Sequence, residues 1–364
     1  MSQSFEPSGD DPIDADPPML RLGLAGFTES QCKDIALTLA NPLPNQPIWR
    51  ISPFQLADGW LLSGEKSTPA SMGNEETLRV APGLPHDRPL TLNLSQIDRP
   101  VAFSLPLASP EIEARLTFDV RSTPSLLAVL GAFEQWLRPL RSKFILGAQL
   151  MARESQLQRI VYHVSCNGQL LAVLDFAGWK IGLLPEATPE QLSGALWEKR
   201  PSQAHAIPSH FAPSSVEQLR WIFAQHTTRN VLPKRYQRQV VYFAKTPSVP
   251  QTWLQPAHLL LLQELSTRPG TLKELVDRAA MSPDELTRNL ACLYFSGSLT
   301  TTPDKAATKA FNRIDSRADS SEAPLPKGAR LPRGETTIFN STLPPDSDML
   351  LDHDNTAPAG LQRE

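Results

Sequence analysis

The chain has 364 residues, of which 40% are hydrophobic and 20% charged, with a formal net charge of −3. That composition allows a packed core over about two to three domains and excludes a histone-like basic binder or a supercharged acidic chain. The widely spaced Cys32, Cys166 and Cys292 argue against a disulfide scaffold and a cysteine zinc site, and they fit a reducing cytoplasm.

Residues 1–18, with Glu6, Asp10, Asp11, Asp14 and Asp16, read as a disordered acidic leader, not a secretory signal. An α/β unit is expected over 19–108. Residues 20–27 suit a buried strand. Thr28 offers a helix cap, and Cys32, Ile35, Ala36 and Leu39 repeat at helical spacing. Residues 48–51, 59–64, 90–94 and 100–105 read as strands, and polar residues 65–74 as a loop.

A central α+β unit is expected over 109–248. Residues 122–156 are helical, opened by Ser122 and Pro124, with Leu127, Leu130, Phe133, Trp136, Leu137 and Leu140 on one face and Pro139 as a kink or break. Residues 159–166 and 169–176 flank Asn167-Gly168, a type I′ hairpin signal; this turn sets Cys166 opposite Gln169 and Ile160 opposite Asp175. A third strand over 179–184 completes a meander. Helices follow from Thr188 to about Trp197 and over 214–227, then a strand over 240–243. Trp136, Trp179, Trp197, Trp221 and Trp253 read as core.

Three short helices and a short strand fill 249–302, with Thr271 and Glu274 forming a capping box and Ser282-Pro283 opening the third helix. Residues 303–364 lose apolar periodicity and read as a disordered tail. Within it Phe339, Leu350 and Leu351 are candidates for docking on a partner. No apolar run is long enough to span a membrane.

The alternating strands and helices of the first unit resemble a response-regulator receiver domain. Ala25-Gly26-Phe27-Thr28 stands where that family carries an acidic pair, Ser63-Gly64-Glu65 where it carries the phosphorylated Asp, and Ala102-Phe103-Ser104-Leu105-Pro106 replaces its Lys-Pro segment. The resemblance therefore implies a pseudo-receiver that binds partners and is not phosphorylated, since its Mg²⁺ site lacks carboxylates. Residues 271–300 resemble a winged helix. Between Trp253 and Thr300, however, four cations (Arg268, Lys273, Arg278, Arg288) face five anions (Glu264, Glu274, Asp277, Asp284, Glu285), which favours protein contact over DNA. The whole chain is similar to an uncharacterised family of proteobacterial proteins.

Few residues offer chemistry. Arg220, Arg229, Lys234, Arg235 and Arg238, with Trp221, His226 and Tyr236 interleaved and no intervening acid, form a candidate anion or partner patch; helix-end cations that complement the helix dipole and nearby acids are the structural reading. His205, His210 and His226 lack a cysteine or carboxylate at ligand spacing. His163 and Ser165 share a strand face, but the expected register puts Asp175 on the other, so no triad forms. There is no P-loop, GxGxxG or GxSxG. The sequence thus reads as a cytoplasmic, non-enzymatic regulatory or scaffolding protein with a protein partner or a homodimeric state, needing no cofactor or metal. A DNA-binding regulator and a nucleotide or small-ligand sensor are the alternatives.

Overall fold

The computed structural model describes residues 17–41, 46–72 and 75–307. The leader up to residue 16 and the tail from 308, with Phe339, Leu350 and Leu351, lie outside the described residues. The described chain is a mixed α/β structure: one parallel five-stranded sheet, several helices and separate antiparallel sheets.

β1 (Met19–Ala25) ends at Gly26, whose positive φ of 80° turns the chain toward α1 (Glu29–Leu39). Thr28 caps that helix through a reciprocal box with Gln31. β2 (Ile48–Ile51) and β3 (Gly59–Leu62) pair parallel with β1 on either side. The chain then leaves the sheet: β4 (Ser67–Met72), β5 (Glu75–Val80) and β6 (Leu90–Asn93) pair antiparallel with one another. β7 (Val101–Ser104) and β8 (Thr117–Phe118) return, giving the order β2-β1-β3-β7-β8. The loop expected over 65–74 is thus mostly strand. Its sequence has no alternation of its own, and the ladder is completed by β5, whose Leu78 and Val80 are buried against Leu62 and Phe103. The other face of the parallel sheet, with Leu20, Leu22, Leu61 and Phe118, packs on Ile35 of α1 and on α2 (Thr123–Trp136).

Pro139 divides the long helical segment. It occupies the first turn of α3 (Arg138–Ala152), where its missing N–H costs nothing. The buried stripe of α2 is Leu126, Val129, Leu130 and Phe133, while Leu127 and Trp136 are exposed. Trp179, also expected inside, is exposed at a positive φ of 56°. β9 (Val161–Cys166), β10 (Gln169–Asp175) and β11 (Lys180–Leu183) form the expected meander. Gln169 pairs with Cys166, but a bulge between Leu170 and Ala172 shifts the register, so Asp175 pairs with Val161, not Ile160. This moves Asp175 to the face of His163. The helix expected to reach Trp197 is short: α4 (Pro189–Ser193) stops at Gly194, and β12 (Leu196–Arg200) takes the free edge of β9. β13 (Ala212–Ser215) closes the opposite edge.

α5 (Val216–His226) follows, then α6 (Lys234–Arg238), β14 (Tyr242–Phe243), α7 (Pro256–Thr267), α8 (Leu272–Ala279), α9 (Pro283–Phe295) and β15 (Leu299–Thr300), which pairs with β14. Thr271 and Ser282 cap α8 and α9, as their sequence implies. α5 contributes Val216, Leu219, Ile222 and Phe223 to the core under the second sheet, and Trp221 and Ala224 to the core of α7–α9. Among the described residues no helix is long and apolar enough to cross a membrane.

Candidate functional site

Alternation along β1 sends Leu20 and Leu22 into the core and leaves Met19, Arg21 and Gly23 on the other face. The last turn of α5 meets that face. His226 Nδ1 lies 3.0 Å from the Met19 carbonyl oxygen; a carbonyl only accepts, so Nδ1 carries the proton and donates. Arg21 Nη2 donates to the Gln225 carbonyl at 3.2 Å, a cation on the negative end of a helix. Asp58 Oδ2 accepts from the Arg21 backbone N–H at 2.7 Å and lies 3.8 Å from His226 Nδ1. Burial holds the His226 pKa below its ordinary value, against the pull of Asp58.

Cations gather at this seam. Arg50 is the register partner of Arg21 on β2, so two arginines stand side by side on one sheet face, with backbones about 4.8 Å apart. Arg288 of α9 is held below its ordinary range by burial and then by Arg21 and Arg50. Among the described residues neither Arg50 nor Arg288 makes a hydrogen bond or an ion pair. Arg21 is only 8% exposed, and its Nη1 has no partner. His258 of α7, 1% exposed and packed 4.7 Å from the Trp221 ring, accepts the Gln255 N–H at Nδ1 (3.1 Å). Its proton therefore sits on Nε2, a buried donor without an acceptor. Burial, and then Arg21, push its pKa down to about 4.

Beside the seam, at the amino ends of β3 and β7, is a cleft of about 400 Å³ lined by Asp58, Arg99, Trp136, Lys143, His226 and Trp253, among others. Arg99 stacks over Trp60 at 4.7 Å and donates to the Ala57 carbonyl. Burial lowers the pKa of Lys143, and among the described residues its amine has no hydrogen bond or ion pair. A second, broader crevice lies at the carboxyl ends of the strands, lined by Thr28, Glu65, Leu105, Asp119 and Arg121. There Phe27 is buried against Phe118, ring centres 6.3 Å apart. The Ser104 hydroxyl accepts the Gly64 N–H at 3.1 Å. Among the described residues no three His, Cys, Asp or Glu side chains are grouped to hold a metal.

The residues singled out from sequence are spread over several elements. Arg220 on α5 pairs with Glu154 at 2.8 Å. The Arg229 backbone N–H donates to Thr227 Oγ1. Lys234, Arg235 and Arg238 share α6, with the Arg235 guanidinium over the Tyr236 ring at 5.1 Å. His226 is at the seam, whereas His210 packs edge-on against Phe211. Asp175, now on the face of His163, spends Oδ1 on the Ala177 and Gly178 N–H groups. Sequence reasoning passed over Arg21, Arg50, Lys143 and His258, and placed Arg288 only in a charge count. An arginine inside the apolar run Met19-Leu20-Arg21-Leu22 was the available signal, since such a cation is buried only with partners. No family model, curated protein or solved structure matches the chain.

Proposed function

We propose that this chain is a cytoplasmic, non-enzymatic regulatory or scaffolding protein that acts through protein contacts, built from a pseudo-receiver and a winged-helix-like unit. The strand order β2-β1-β3-β7-β8 is that of receiver and flavodoxin-like sheets, which supports the first likeness. Helices α7–α9 followed by the β14–β15 pair support the second. The observation that carries the reading is the exposure of large apolar side chains on α1 and α2. Leu37 is 67% and Leu127 36% exposed, beside a groove lined by Leu39, Trp49, Leu127 and Gly131. Apolar surface of this kind gains free energy when a partner covers it.

The test is affinity capture with the full chain, alongside Leu37→Glu/Leu127→Glu. A protein, or a second copy of the chain, held by the wild type and lost with the double variant at unchanged melting temperature is the expected result. Equal capture by both overturns the reading. So does salt-dependent retention on duplex DNA, which would restore the DNA-binding regulator. The acidic start of α9, Asp284-Glu285, speaks against that outcome.

A small-ligand sensor is the second reading. The cleft beside the seam is of ligand size, and Lys143 offers it an unpaired amine. A saturable rise in melting temperature with a metabolite panel, lost in Lys143→Met, is the expected signature.

A further inference from the structure

We propose that Arg21, Arg50, Arg288 and His258 form a binding site for a phosphoryl anion, free or as the terminal phosphate of a small molecule. The inference goes beyond the protein-contact reading and stands independently of it.

Two buried donors at the seam lack acceptors: Arg21 Nη1 and His258 Nε2. Leaving such a donor unmade costs about 1–3 kcal/mol. Arg21 and Arg50 are register neighbours on one sheet face, and like charges so placed repel. Arg288 adds a third guanidinium from α9. The acids nearby answer this charge only in part: Asp284 favours charged Arg288, against burial, Arg21 and Arg50, which outweigh it. Asp58 takes the Arg21 backbone N–H and faces His226. Asp284 is exposed, one turn ahead of Arg288. An anion that accepts from several directions satisfies all four groups at once. A tetrahedral phosphoryl group presents more acceptor oxygens than a carboxylate, and guanidinium forks match its geometry. Solvent reaches the cluster from one side: Arg50 is exposed and Arg288 half-buried, while Arg21 and His258 are buried.

The experiment uses the full chain near neutral pH. Inorganic phosphate is titrated by calorimetry and by thermal melting, against chloride at matched ionic strength. Phosphate raises the stability of many proteins by exclusion from their surface, so Arg50→Gln and Arg288→Gln decide the matter. Each is expected to weaken phosphate binding by roughly tenfold or more. In chloride alone both should melt at or above the wild type, because each removes a repelling charge. A nucleoside monophosphate run in parallel separates the sources: affinity equal to that of phosphate assigns recognition to the free anion, and tighter binding extends the site to a nucleotide, both within the proposal. The proposal fails if wild type and variants bind phosphate equally or not at all. It also fails if the variants melt well below wild type in chloride, which would make the arginines structural.

Discussion

His258 has an ordinary pKa of 6.5 in the unfolded chain but stays neutral in the folded one down to about 4. Between those values the unfolded state binds the extra proton, so stability is fully present above pH 6.5 and falls as pH drops toward 4. The full shift is worth about 3 kcal/mol. His226, whose pKa burial also lowers, adds loss in the same direction. Urea melts across this range should therefore give a steep acid limb, and His258→Asn should flatten it, since an amide can accept the Gln255 N–H without titrating; an unchanged limb would contradict the assignment. At this scale the sequence was legible where partners are local. Thr28, Thr188, Thr271 and Ser282 cap the helices their spacing implies. The seam was not legible. Arg21 and Gln225 are 204 positions apart, His226 and Met19 207, and no local pattern names a partner at that range.

Between elements, the close approach of α3 and α5 depends on one glycine. A Cβ at Gly147 would lie 2.8 Å from the Leu219 carbonyl oxygen and 3.2 Å from Phe223 Cβ. A backbone carbonyl within a helix cannot move aside cheaply. Gly147→Ala is expected to lower stability by about 1–3 kcal/mol, although alanine is the better helix former. Gly131 on α2 is the control: nothing lies within 4 Å of a Cβ there, so Gly131→Ala should stabilise by about 0.5–1 kcal/mol. Denaturant melts of the two variants should move in opposite directions, and a shared direction would refute the packing argument. The elements that sequence patterning missed share one cause. β4 and β12 are strands because β5 and β9 offer them edges. The bulge in β10 arises after a turn that was itself read correctly. Local propensity reports a residue's own preference, while a ladder is set by its neighbour.

Across the whole molecule, α5 ties the cores together. Its Ile222 and Phe223 are buried under the second sheet, its Trp221 among α7–α9, and its final turn is bonded to β1. A sequence read as successive units gives no reason for one eleven-residue helix to serve three of them; that role follows from its two apolar faces. The consequence is mechanical. Trp221 is fully buried, and Trp221→Ala should cost about 3–5 kcal/mol. Because α5 cannot shift in one core while holding its place in the other, that loss should be shared. Hydrogen exchange on the full chain should show amides of β9–β11 and of α8–α9 losing protection together. Protection lost in α7–α9 alone, with the second sheet unchanged, would mean that the cores open independently. In that case α5 would be only a neighbour to both, and a signal received at the sheet would have no rigid route to the helices.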